Sequence, residues 1–436
     1  MKKILFALLV PALVVLAGCE KEFSNPNAAD GGEVVKSADG LTGLIVGIKK
    51  TYSVGALSAL YNSVSANGLT TKELYVLNTG NGELAGLEAG KGTVGASNSF
   101  LRNIWTSCHT VKANAQLLID NYQNVREPGT TEMIRVYGHY FKALAIGTMC
   151  NFWEQVPTEI VGSDEFLAGK RPAFKTRAAA LQEAVDLLSA AATIAEATAP
   201  STYFNVKVGT DMDIKNACYA LLARYNTMLG KSADALAAAN KVDLTKKSIF
   251  KYDAVSPNPV FRTSLVTNNT YNGLPNFGLA GALAPDAADG RIAFYLGANV
   301  APVKVQGVFK NDADPIPLYF PGEITLIKAE AHARIGTSLA DAVTELDKVR
   351  TKTADPFGVT AKGTAYTGAM TKDAILEEIY RQRCIELYMT GMKLEDSRRF
   401  GRPGPNDTGA ERSRNYYPYP QVERDNNANT PADPPI

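Results

Sequence analysis

The chain has 436 residues, and its 45 Lys and Arg against 44 Asp and Glu leave a formal net charge of +1. That balance excludes the basic footprint of a nucleic-acid binder and a polybasic membrane contact. With 45% hydrophobic residues, the length supplies one large core or two ordinary ones. Beyond the N-terminal leader, the sequence reading finds no run apolar for the ~20 residues that span a bilayer as a helix. Cys108, Cys150, Cys218 and Cys384 stand far apart at no metal-ligand spacing, each among apolar neighbours in a predicted helix. They read as small buried hydrophobes, with a disulfide left open because sequence alone cannot pair them. His109, His139 and His332 are isolated and read as structural. No cofactor and no metal site is expected.

The N-terminus carries Lys2 and Lys3, an apolar run from Ile4 to Val15, and then Leu16-Ala17-Gly18-Cys19. A basic start, a short apolar stretch and a small-residue cleavage site make a secretory signal over residues 1–18. A Cys directly after Leu-Ala-Gly is similar to the lipobox of bacterial lipoproteins, which implies lipidation at Cys19; the plainer reading is an ordinary signal with a chance Cys. Acyl chains at ~0.8 kcal/mol per buried methylene would hold a water-soluble body at a membrane surface. Residues 19–36 are polar, with Asn25-Pro26-Asn27 and Gly31-Gly32, and read as a tether.

Helical patterns begin after it. Leu41 to Leu60 reads as a helix weakened by Gly43, Gly47 and Gly55. Residues 69–99 lose the period, are rich in Gly and Asn, and read as a long loop with room for a hairpin. From Phe100 to Tyr122, Ile104, Val111, Ala115 and Leu118 restore helical spacing. The next helix opens at Thr131 and is apolar on two sides, through Met133, Val136, Tyr137, Tyr140 and Leu144 and through Ile134, Phe141 and Ala145, so it is expected between neighbours. Pro157 is taken to end it. A third helix spans 177–195. A fourth opens at Asp213 and stops at Gly230, and a short fifth starts at Ser232.

Residues 251–320 form a second irregular region, broken by Pro257, Pro259, Pro275, Pro285, Pro302, Pro315 and Pro317. Arg291–Leu296 and Val303–Val305 are expected as short strands. Helices resume at Pro321, with Gly336 as a stop, Ser338 as a cap, and a last long helix from Thr371 to about Thr390. The tail after Arg399 reads as irregular surface chain. Helix pairs repeating about every 34–45 residues suggest tetratricopeptide-like hairpins.

The C-terminal third is where a family resemblance appears. Glu323 to Gly336, followed by Ala342, Leu346, Asp347, Val349 and Arg350, is similar to a signature helix of the SusD/RagB family. In the next block Arg383, Glu386, Leu387, Gly391, Asp396 and Arg399 match the family pattern, while Gln382, Cys384, Thr390, Lys393 and Ser397 depart from it. Asn151-Phe152-Trp153-Glu154-Gln155-Val156-Pro157 and Tyr417-Pro418-Tyr419-Pro420 resemble two further family segments. The resemblance implies a mainly α, SusD-like fold: a tetratricopeptide-like helical-pair scaffold with long irregular insertions and a few short strands. It implies one ligand-binding domain over 37–436, with insertions at about 69–99 and 251–320. It also implies a surface-exposed outer-membrane lipoprotein, anchored through its lipid, that delivers an oligosaccharide or peptide to a SusC-like TonB-dependent transporter.

No nucleophile elbow, zinc-protease motif or phosphate loop is present, so an enzyme is not expected. Arg383, Glu386, Asp396 and Arg399 sit at helical spacing and read as structural ion pairs. A ligand site would leave aromatics and amides on loops, because sugar rings stack on aromatic faces and amides take hydroxyls. The candidates are Tyr75, Asn78, Tyr271, Asn272, Phe277 and Tyr295, each weighed against local packing. Trp105 and Trp153 are assigned to the core. The competing reading is a helical-repeat scaffold lipoprotein of an envelope assembly complex that binds no small ligand.

Overall fold

The computed structural model describes residues 31–267, 270–301 and 303–436. The leader at 1–18, the lipidation expected at Cys19 and most of the tether lie outside the described residues.

Eleven helices form the scaffold. They are α1 (Ala38–Ser53), α2 (Ala59–Thr70), α3 (Ser99–Asn121), α4 (Thr131–Phe152), α5 (Arg177–Ala197), α6 (Ile214–Met228), α7 (Ser232–Asn240), α8 (Pro321–Ile335), α9 (Leu339–Arg350), α10 (Lys372–Glu386) and α11 (Lys393–Arg399). The starts follow capping chemistry. Ser37, Ser58, Asn98, Thr176, Asp213, Ser338 and Thr371 each accept from a backbone N–H in the first turn of the helix that follows. Gly336, left-handed at φ 78°, ends α8 as expected.

Consecutive helices pack as neighbours from α3 to α9, and α10 and α11 fold back so that α11 reaches α2 and α4. Helix α4 is the axle. Both of its apolar stripes are buried, one towards α3 and the other towards α5 and α6. Gly147 permits the approach of α6: a Cβ there would lie 2.1 Å from Cζ of Tyr225. Helix α5 has the length and apolarity of a membrane span, a pattern the sequence reading passed over. Its Leu181, Ala184, Val185 and Leu188 are packed inward instead.

Three small antiparallel sheets tie together segments between the helices. They pair β1 (Leu74–Val76) with β5 (Tyr271–Gly273), β2 (Gln155–Pro157) with β3 (Phe174–Thr176), and β4 (Ile249–Phe250) with β6 (Ile316–Pro317). The long internal segments therefore carry little regular structure yet are pinned at their ends.

Several boundaries differ from expectation. The helix expected over 41–60 is two helices, divided at Gly55 (φ 81°), where the left-handed turn lets α2 bury all twelve of its residues. The loop at 69–99 contains β1 and a helix at Gly82–Ala89 capped by Asn81. Arg291–Leu296 is helical rather than a strand, because the Asp289 carboxylate accepts from Arg291 N and starts the turn. Val303–Val305 runs outside any ladder. Helix α4 stops at Phe152, and Pro157 closes β2 instead. Helix α10 stops at Glu386, where Met389 (φ 56°) and Gly391 (φ 81°) reverse the chain into α11.

The tail is not a surface wrapping. The Tyr417 hydroxyl bonds Thr70, and the indoles of Trp153 and Trp105 donate to Pro418 O and to Glu423 at 3.0 Å each. Both tryptophans are buried, as is Tyr419. Cys108, Cys150, Cys218 and Cys384 are free and buried, so none of them forms the disulfide the sequence left open. Burial pushes the Cys150 and Cys384 thiols up to about 12.

Candidate ligand-binding cleft

The two irregular insertions meet. Strand β1 from the first pairs antiparallel with β5 from the second, in the register Leu74↔Gly273, Tyr75↔Asn272 and Val76↔Tyr271. Leu77 N extends the ladder by donating to Thr270 O at 3.0 Å. Alternation along the strands turns Leu74, Val76 and Tyr271 to the core and leaves Tyr75 and Asn272 half-buried as a cross-strand pair.

Beside this ribbon opens a cleft of about 500 Å³. Leu77, Phe261, Leu265 and Val266 give it apolar walls, the buried ring of Tyr271 lies beneath, and Asn272, Gln306, Lys304 and Lys310 bring polar groups to it. Its size is that of an ordinary small-ligand site. Phe261–Thr267 is a π-helical segment, a conformation that recurs at functional sites because it re-aims side chains. The segment is fixed from below: Ser264 Oγ lies 2.7 Å from the Tyr61 hydroxyl, and the Tyr271 hydroxyl lies 2.9 Å from Ser65 Oγ. Burial raises both phenols, so they stay neutral.

Of the six sequence candidates, Asn272 lines the cleft and Tyr75 stands opposite it, while Tyr271 borders the cleft with its side chain fully buried and its hydroxyl committed to Ser65, which corrects it as a ligand contact. Asn78 lies just beyond β1, exposed, with its Oδ1 accepting from Gly80 N. Phe277 and Tyr295 are elsewhere. Phe277 is fully buried, its ring set edge-on to Tyr295 and Tyr388 with centroids 6.2 and 5.1 Å away. The Tyr295 hydroxyl donates to Glu386 O at 2.8 Å. Their rings are committed to the core, so as ligand contacts they are corrected here. Asn276 and Phe277 both have positive φ (56° and 60°), costly for a bulky side chain and held by that packing.

The sequence reading missed Leu77, Phe261, Leu265, Lys304, Gln306 and Lys310. Only their place inside the two insertions pointed to them. A second, enclosed cavity of about 80 Å³ lies between Tyr140, Arg224, Phe250 and Glu323. At ~30 Å³ per water it suits a few waters rather than a sugar ring. Among the described residues, no cluster of three or more His, Cys, Asp and Glu is arranged to hold a metal.

The candidate ion pairs at the C-terminal end are structural. Arg383 grips Asp396 through two bonds of 2.9 Å, both residues buried, and Arg399 links Asp396 to Glu330. Glu386 accepts from Arg291 at 3.2 Å and from Lys352. Gln382, where the family pattern has a carboxylate, accepts from Arg291 and keeps that junction closed.

Residues 250–434 match the sequence model of the SusD family. No curated protein sequence matches the chain. Among solved structures, the chain is similar to a SusD superfamily protein from Bacteroides thetaiotaomicron, with 16% identity, a TM-score of 0.73, and coverage of 91% of this chain and 100% of the other. It is also similar to a SusD-like carbohydrate-binding protein from Bacteroides fragilis, with 13% identity, a TM-score of 0.67, and 91% and 99% coverage. A laminarin-binding SusD-like protein aligns at 16% identity and a TM-score of 0.62 over 92% and 99%. The fold is SusD-like over the nine-tenths of the chain that aligns, and the sequence match to the SusD family model lies within residues 250–434.

Proposed function

From a SusD-family sequence carried on a SusD-like fold, we propose that this chain is a lipid-anchored outer-membrane protein that captures an extracellular oligosaccharide and hands it to a SusC-like TonB-dependent transporter. The supporting observation is the β1–β5 ribbon, which joins the two insertions beside a cleft with apolar walls and amide and ammonium groups at hand. Apolar walls suit the C–H faces of sugar rings, and the amides and lysines suit their hydroxyls. Solved proteins of this fold described as carbohydrate-binding and laminarin-binding favour a glycan over a peptide. Capture occurs without turnover. No carboxylate, histidine or cysteine is found among the described residues that line the cleft, so they offer no acid/base pair for hydrolysis.

Affinity is expected at micromolar dissociation constants or weaker, because the cleft is open and no indole platform faces it. The lipid at Cys19 holds the body at the membrane, and the near-zero net charge leaves that anchor as the means of attachment. Co-purification of tagged protein from detergent-solubilised outer membrane, with a glycan array run on the same preparation, tests the reading. A large β-barrel partner together with a bound glycan supports it. A protein that purifies with an assembly complex, with no transporter and no glycan, replaces it with the scaffold reading.

A further inference from the structure

A second cleft, of about 570 Å³ and away from the β1–β5 ribbon, lies where the end of α6 and the start of α7 meet α8, α10 and α11. Its lining is dominated by cations: Arg177, Arg334, Lys372, Arg398 and Arg399, with Glu395 as the acidic member. The ion pairs around it do not cancel. Glu395 serves Arg177 and Arg398, Glu330 serves Arg334 and Arg399, and Asp396 serves Arg383 and Arg399, so five guanidinium groups share three carboxylates. Lys372 adds a sixth cation, and among the described residues it donates to a backbone oxygen, Arg334 O at 3.1 Å, and pairs with no carboxylate.

Three guanidinium donors of this cluster, Arg383 Nη1, Arg398 Nε and Arg399 Nε, lack a hydrogen-bond partner, as does one acceptor, Glu330 Oε2. Arg398 Nε and Arg399 Nε are buried, on side chains only 10% and 9% exposed. Arg399 Nε stands 4.0 Å from Glu395 Oε1, beyond bonding reach. An orphaned charged donor is costly to bury, and an anion in the cleft would offset that charge at close range. Arg398 is held in place by Asn415 O and Asn151 O at 2.6 and 2.7 Å and lies over the ring of Tyr416. Ser232 lines the cleft at the first turn of α7, a helix with no side-chain cap, so its amide dipoles add to the positive field.

We propose that this cleft is an anion-binding site, separate from the saccharide cleft, that takes one sulfate, phosphate or carboxylate group. The group could be a free anion or the acidic substituent of a charged saccharide, which share this chemistry. Inorganic sulfate is the probe, titrated calorimetrically into the purified protein against chloride at matched ionic strength. One saturable equivalent is expected, weakened about tenfold by Arg398→Gln and by Lys372→Gln, as loss of one charge-assisted bond implies. Lys372 is exposed, so its variant carries the test even if Arg398→Gln fails to fold. Displacement of sulfate by galacturonate or a sulfated monosaccharide identifies the saccharide source, and displacement by phosphate alone identifies the free anion; both support the site. Sulfate binding no tighter than chloride, binding unchanged in Lys372→Gln, or displacement by neutral glucose would overturn it.

Discussion

The knot of charged residues at α8, α10 and α11 and the cleft beside β1 and β5 use polar side chains in opposite ways. In the knot, Arg383, Asp396, Glu330 and Glu386 are buried and bonded to charged side chains of the same chain, Arg383 to Asp396, Glu330 to Arg334 and Arg399, and Glu386 to Arg291 and Lys352. In the cleft, Asn272, Gln306, Lys304 and Lys310 are half-buried or exposed, and apolar walls stand beside them. Residue type did not separate the two regions; what separates them is whether the partners come from the chain itself. Polar groups answered from within hold the fold together, and polar groups left facing solvent can answer something else.

Perturbing the knot should give the largest effect. Asp396→Ala leaves Arg383 and Arg399 short of a carboxylate in the interior, and breaking a buried pair by removing one partner costs about 3–5 kcal/mol. Chemical denaturation should report a loss in that range. A loss below about 1 kcal/mol would mean the knot behaves like a surface pair.

Phe277→Ala comes next. Truncating a buried aromatic costs about 3 kcal/mol or more, so this variant should melt well below wild type. An unchanged melting temperature with weakened glycan binding would return Phe277 to the cleft.

Glu73, directly before β1, links the two regions. Its carboxyl is buried, and burial pushes it up to about 7, against the pull of Lys393 and of the Met389 backbone. The folded state therefore binds this proton more tightly than the unfolded chain does. The resulting stability is fully present below about pH 4.5 and is lost as pH rises through 7, by about 3 kcal/mol at 1.36 kcal/mol per pKa unit. His139, lowered to about 4 by burial and the charges of Arg135 and Lys142, acts in the opposite sense across part of that window. The measurement is thus a difference. The stability of wild type minus that of Glu73→Gln should fall between pH 5 and pH 8, and a flat difference would place Glu73 in a solvated site.

The helical frame was legible because burial follows the 3.6-residue period. The stripes of α4 and the inward Leu181, Ala184 and Leu188 of α5 were read from spacing alone, and so was the stop at Gly336. Little of the cleft lining was legible, Asn272 being the candidate that presents its side chain there. Composition marked both insertions, but it could not tell Phe277 and Tyr295, which turn inward, from Phe261 and Leu77, which line the cleft. That choice is made by the pairing of β1 with β5, strands almost two hundred positions apart, and local pattern carries no trace of it. The ion pairs were recognised by type, while Arg177, Glu395 and Glu330, drawn into the same knot from α5, α11 and α8, were not.

The smallest stability effect belongs to the cleft, and it carries the central claim. Tyr75→Ala combined with Asn272→Ala removes a half-buried cross-strand pair and should cost no more than about 1 kcal/mol. Titration of wild type and this double variant with the glycan the array identifies is the direct measurement. The account predicts a saturable micromolar complex for wild type and at least a tenfold loss in a variant whose melting curve is nearly unchanged. Equal affinity in the two proteins would contradict it and place saccharide recognition elsewhere on the molecule.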